Sequence, residues 1–217
     1  CYQTKQASPI DLVMIGDSHA EHLLLGLSEA MPYLNIANYY RSDLPFVSSN
    51  QYKDIFESIA ADPSIKYVLL TAMWADARLR PDQRLAFESG LTETITWLKS
   101  KNKKIILLDD TPKFGFDPQR CKFTHPLSGS SHCFESIDTY QQIRDSYVFA
   151  LESTSSQNPD LLFIRMNDLF CDDQVCRMAS DEELFFRDNN HLNILGSKLA
   201  GALIAAQIKR KYSLLDR

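Results

Sequence analysis

The chain contains no apolar run near the roughly 20 residues that a bilayer-spanning helix requires. It also lacks a basic surplus: 23 Lys and Arg stand against 28 Asp and Glu, a formal net charge of −5. That balance argues against a nucleic-acid partner, because neutralising phosphates takes a basic face. Three chemistries lose their usual motifs. There is no G-x-S-x-G elbow, no G-x-x-x-x-G-K-[ST] phosphate loop and no G-x-G-x-x-G dinucleotide loop. No internal repeat or low-complexity tract interrupts the chain. Residues 1–6 do not pair a charged segment with an apolar one, so they do not open a signal peptide. The chain starts at Cys1 rather than Met, which reads as a processed chain or a piece excised from a longer protein.

What is present fits one soluble α/β domain. A chain of 217 residues, 44% hydrophobic and 24% charged, can bury roughly 70% of its unfolded surface without a metal to hold it together. Apolar, β-branched runs alternate with helical patterns, as in βαβ units around a parallel sheet. Strands are expected at 10–15, 33–39, 65–71, 104–108 and 161–166. Helices are expected after Ser18 and over 50–61, 82–101, 137–153 and 194–211. In the helix over 82–101, Leu85, Phe87, Leu91, Ile95 and Leu98 are predicted to face inward. Residues 1–9 form a lead-in, and the Pro-, Gly- and Ser-rich stretch 110–136 is an irregular excursion. The pattern predicts a single-domain, three-layer α/β/α sandwich over 1–217.

Five cysteines stand at positions 1, 121, 133, 171 and 176. Cys121 with Cys133, and Cys171 with Cys176, would each close a short loop, as disulfides in an oxidising compartment do. The alternatives are free thiols, or a zinc site built from Cys121, His125, His132 and Cys133. Zinc fits the spacing poorly, since His132 and Cys133 are adjacent and no CxxC knuckle orients them. Cys1 has no obvious partner.

Two short blocks carry chemistry. Gly16-Asp17-Ser18-His19 stands at the carboxyl end of the first predicted strand and opens a helix. Ligands gather at the carboxyl ends of strands in open parallel sheets, and the unpaired N–H groups of a helix start can hold a developing oxyanion. A plain helix cap explains the same four residues. Near the other end, Asp188-Asn189-Asn190-His191 precedes the last helix. Asp188 and His191, three apart, can meet on one turn, so that the carboxylate orients an imidazole able to take a serine proton. A capped turn with a surface histidine, with Asn193 capping the helix, is the rival reading. His19 and His22 are further candidate bases, although helix-borne histidines beside a nucleophile more often line a groove or lie on the surface.

Together, GDSH after the first strand and DxxH before the last helix resemble the SGNH (GDSL-like) hydrolase superfamily, from Leu12 to about Ile208. The resemblance implies a flavodoxin-like sheet of five parallel strands. It also implies Ser18 as nucleophile, His191 as general base and Asp188 as its partner, with the Ser18 backbone N–H as one oxyanion donor. The middle blocks depart from the pattern. No Asn of a GxND block stands near Ala72-Met73-Trp74-Ala75, and no Gly near Tyr40-Arg41-Ser42-Asp43. Trp74, Ser42 and Arg41 are the candidate replacement donors, although Trp is mostly a packing residue and Trp74 reads first as a core or groove aromatic.

The Trp after strand three, Leu44-Pro45-Phe46, and Asp168-Leu169-Phe170-Cys171 with Cys176 resemble one subgroup. It comprises SGNH domains behind an acyltransferase-3 membrane domain in bacterial cell-envelope O-acyltransferases. That resemblance implies an acyl donor delivered by the membrane domain and a glycan acceptor such as lipopolysaccharide or peptidoglycan. It also implies the periplasmic or outer face of a bacterial inner membrane, where the cysteines would be oxidised. No cofactor is called for. The expected activity is an O-acetyltransferase. A secreted carbohydrate or lipid esterase, or a glycan-binding module that has lost catalysis, are the rivals.

Overall fold

A computed structural model describes residues 1–6, 9–75, 83–122, 133–180 and 183–212. The central sheet has strand order β1-β3-β2-β4-β5-β7. Its five parallel strands are β2 (Leu12–Gly16), β3 (Ile36–Tyr40), β4 (Tyr67–Leu70), β5 (Lys104–Leu108) and β7 (Leu162–Ile164). A sixth strand corrects the expected count. Tyr2–Gln3 of the lead-in forms β1 and pairs antiparallel with β3 at the sheet edge.

Period-2 alternation builds the two cores. Leu12 and Met14 of β2, Leu69 of β4, Ile106 and Leu108 of β5, and Ile164 of β7 point to one face. There they meet Leu23 and Leu27 of α1 (Ser18–Ala30) and Ala200, Ile204 and Ile208 of α8 (Ile194–Tyr212). Val13, Ile15, Val68, Leu70, Ile105 and Leu107 point to the other face. That face is covered by α2 (Lys53–Ala61), α3 (Arg84–Ser100) and α6 (Val148–Gln157). Strands buried on both faces read as continuous apolar runs, as these do. The result is the three-layer α/β/α sandwich that the sequence pattern predicts.

The crossing of α1 and α8 positions the site. Gly26 and Gly201 let the two backbones touch, because a Cβ on either would overlap the other helix's backbone. The close approach seats the start of α8, and the loop before it, beside the start of α1. Asn193 caps α8 by accepting from the Gly196 N–H at 3.0 Å.

Two expectations need correction. The helix predicted over 137–153 is broken into α5 (Ile137–Arg144) and α6, with 145–147 as a turn between them. Leu85 is 78% exposed. The inward stripe of α3 runs Phe87, Leu91, Thr94, Ile95 and Leu98; two residues before Phe87 is about 200° around a helix, on the solvent side. The excursion over 110–136 carries α4 (Gln119–Lys122) and β6 (Phe134–Ser136), and β6 pairs antiparallel with β8 (Val175–Arg177). The remaining short helix is α7 (Asn167–Phe170). Cys121–Cys133 and Cys171–Cys176 are both disulfide-bonded, and Cys1 is free. Disulfide pairing therefore holds over free thiols and zinc at these four cysteines; His125 and His132 lie outside the described residues.

Candidate active site

Ser18 is the first residue of α1, at the carboxyl end of β2. Gly16 is required here by close approach: a Cβ would overlap the Thr71 carbonyl of the neighbouring strand's end. The Gly16 carbonyl accepts from the Arg41 N–H at 3.0 Å and the Tyr52 hydroxyl at 2.7 Å. Asp17 is the helix cap. One carboxylate oxygen accepts from the His19 N–H at 2.8 Å, and the other from the Met73 N–H at 2.9 Å. The capping and nucleophile readings of this block thus fall on different residues: Asp17 caps, and Ser18 is left at the open helix start.

The last loop delivers the partners. His191 Nε2 lies 2.8 Å from Ser18 Oγ. His191 Nδ1 lies 2.8 Å and 3.0 Å from the two oxygens of Asp188. An ionised carboxylate only accepts, so Nδ1 carries the proton and Nε2 is left to accept from the Ser18 hydroxyl; this tautomer is assigned from the network. Asp188 also accepts from the backbone N–H groups of His191 at 2.7 Å and Asn190 at 3.0 Å. Partial burial pushes the Asp188 carboxyl up, and these donors more than reverse that, leaving its pKa below the usual carboxylate value. The loop is pinned from outside by Thr111 Oγ1, which donates to the Asn190 carbonyl at 3.2 Å, and by the Phe114 N–H, which donates to the Asn189 carbonyl at 2.8 Å.

Behind His191 stands a second histidine–carboxylate pair. His19 Nδ1 lies 2.5 Å from Asp110 Oδ1, and both side chains are almost fully buried. Burial pulls the His19 pKa down, but Asp110 more than reverses it, so the imidazole sits above the ordinary histidine value. His22 accepts from the Leu192 N–H at Nδ1, 3.3 Å. Its burial, with His19 next in effect, drives its pKa well below the histidine value and keeps it neutral. The His19 and His22 ring centroids lie 5.1 Å and 5.9 Å from that of His191. Both rings are almost fully buried, with His22 at the wall of an open cavity that Leu25, Leu192 and Ser197 also line, and neither bonds to Ser18 among the described residues.

A profile of SGNH domains fused to AT3 domains matches residues 1–206. The chain belongs to that family. Membership makes it an SGNH-type enzyme domain, acyltransferase or esterase in kind. No curated protein matches it significantly by sequence. Among solved structures, it is similar to the periplasmic domain of a Salmonella ser. Paratyphi A lipopolysaccharide acetyltransferase. The two are 20% identical over 94% of this chain and 85% of that one, with a TM-score of 0.69. A GDSL-like lipase from Bacteroides thetaiotaomicron gives 15% identity over 92% and 88%, with a TM-score of 0.61. The C-terminal catalytic domain of a Streptococcus pneumoniae peptidoglycan O-acetyltransferase, solved with a methylsulfonyl adduct, gives 15% over 94% and 95%, at 0.55. At these identities the likeness is one of fold.

Of the three candidate replacement donors of this SGNH domain, Trp74 and Arg41 are engaged with other groups. Trp74 is fully buried against Phe87, and its indole N–H donates to the Leu108 carbonyl at 2.9 Å. It is a core residue, because a buried indole N–H takes the nearest carbonyl it can reach. The Arg41 guanidinium donates to its neighbour's carbonyl, Tyr40 O, at 2.9 Å and approaches Asp54 at 3.8 Å, while its backbone N–H is held by Gly16. Ser42 is exposed, and its hydroxyl makes no hydrogen bond among the described residues. Sequence reading missed Asp110, Tyr52, Met73 and Asn190. For Asp110 a signal existed: Asp109-Asp110-Thr111 follows the carboxyl end of β5, on the sheet edge where ligands gather.

Proposed function

We propose that the chain is a serine-dependent O-acyltransferase domain, passing an acyl group, acetyl first among candidates, to hydroxyls of a bacterial cell-envelope glycan. The observation that carries this reading is the continuous Ser18–His191–Asp188 hydrogen-bond relay at the carboxyl edge of the sheet, in a family defined by fusion to AT3 domains. His191 Nε2 takes the Ser18 proton as Oγ attacks the acyl carbonyl, and Asp188 steadies the imidazolium. The Ser18 N–H, at a helix start with no intrahelical acceptor, faces the developing oxyanion. His191 returns its proton to the leaving group, giving the acyl-serine. A sugar hydroxyl then loses its proton to His191 and attacks the ester, and the same proton goes back to Ser18 as the acylated sugar leaves.

Upstream AT3-type membrane delivery of the acyl group and a location on the periplasmic face belong to the same proposal. The family's fusion partner and the two disulfides support them. Hydrolysis is the second reading, favoured by the exposure of the relay: His191 is 20% and Asp188 40% exposed, so water can reach the acyl-serine.

Incubating the protein with p-nitrophenyl acetate and a glycan fragment, and weighing the products by mass spectrometry, tests both. Acetylated sugar is expected from the wild type, with a loss of about 10⁴-fold or more in Ser18→Ala at unchanged circular dichroism. Transfer that survives Ser18→Ala ends the proposal. Free acetate as the sole product makes the domain an esterase.

A further inference from the structure

Resting on the acyl-serine reading above, we infer that the Asn190 carboxamide is the second oxyanion donor, supplied by the loop that carries His191 rather than by the segment after β4. Three other candidate donors are engaged, the Trp74 indole with Leu108, the Arg41 N–H with Gly16 and the Met73 N–H with Asp17; Ser42, with no hydroxyl partner among the described residues, is exposed on the segment after β3. A serine acyl transfer left with the Ser18 N–H alone would hold its oxyanion poorly.

Asn190 closes a ring of contacts around the nucleophile. Its Nδ2 lies 3.2 Å from Met73 Sδ. The Met73 backbone in turn donates to Asp17, the residue before Ser18. On the other side the Asn190 N–H donates to Asp188 Oδ1, and the next residue, His191, meets Ser18 Oγ. The carboxamide therefore stands where strand-β4 and last-loop segments converge on Ser18. Met73 lies in the block where the superfamily carries its Asn. A thioether is a weak acceptor, and Asn190 has no other side-chain partner among the described residues. Its N–H can leave the sulfur for a developing negative oxygen at little cost. Three backbone anchors keep the residue placed while the amide turns: its N–H on Asp188, its carbonyl on Thr111 and the Asn189 carbonyl on Phe114.

Kinetics of p-nitrophenyl acetate turnover, in wild type, Ser18→Ala, Asn190→Leu and Asn190→Ala, test the inference. The Leu variant keeps the volume and removes the N–H; the Ala variant guards against a failure of the first to fold. Both are expected to lose about 100-fold or more in kcat with KM within about threefold. The midpoint of the pH–rate profile should stay in place, since the relay itself is untouched. Wild-type kcat in a folded Asn190→Leu variant overturns the inference and leaves the acyl-serine reading standing. A fall in kcat accompanied by a moved pH midpoint also overturns it, assigning Asn190 to holding Asp188 and His191. Wild-type turnover no greater than that of Ser18→Ala removes both.

Discussion

Two histidine–carboxylate pairs stand side by side in this domain, His191 with Asp188 and His19 with Asp110, their imidazoles 5.1 Å apart. They share their chemistry and differ in surroundings. The first pair is partly open to solvent and turns a free nitrogen to Ser18. The second is 2% and 4% exposed and bonds only inward. A proton relay needs a nitrogen that a substrate can reach, and a buried pair has none to offer. What the inner pair can do is hold the wall: Asp110 also accepts from the Thr111 N–H, and Thr111 steadies the loop that carries His191. Accessibility, more than residue type, divides the two roles.

The sharpest way to break this comparison is to damage each pair in turn. Asp188→Asn is expected to cut kcat by about 10³–10⁴-fold, because an amide N–H turned to Nδ1 selects the wrong tautomer, while the melting temperature changes little. Asp110→Ala should reverse the balance. It leaves a buried imidazole unpaired, and unfolding in urea should show a loss of about 3–5 kcal/mol, with the activity of the folded fraction far less affected. If Asp110→Ala lost activity as steeply as Asp188→Asn at unchanged stability, the division by burial would be wrong.

A smaller effect sharpens the same contrast through pH. His19 binds its proton more tightly in the fold than in the unfolded chain. Its contribution is thus complete below the ordinary histidine value of about 6.5 and is lost as pH rises through the folded value. Burial raises the Asp110 pKa as well, which adds to the same trend. Asp188 is depressed, so its contribution is present above about pH 4 and fades as pH falls through its folded value. Melting temperatures across pH, with each pair's variant subtracted from wild type, should therefore slope in opposite directions. Parallel curves would contradict the assignment.

Much of this arrangement is legible in particular residues. Leu12 to Gly16 announce a buried strand, and the Gly-Asp-Ser-His that follows marks where that strand must turn into a helix. Asp188 and His191 carry their own pairing in their spacing. The inward expectation for Leu85 fails because apolar character alone ignores its angle around α3. Trp74 reads both as a donor and as a packing residue, because a donor's type is written in the sequence and its acceptor is not. His19 looks like any helix-borne histidine until Asp110, 91 residues away, is placed against it.

Local order thus determined the strands, the alternation that splits their side chains between two cores, the helix cap at Asp17 and the Asp188–His191 turn, because each depends on neighbours a few bonds away. Only the tertiary structure decided which donors remain free, which histidine is buried and where the head of the chain meets its tail. The His191–Ser18 contact spans 173 residues. It forms because α8 packs on α1 at Gly26 and Gly201, a fit of two surfaces that neither segment encodes alone.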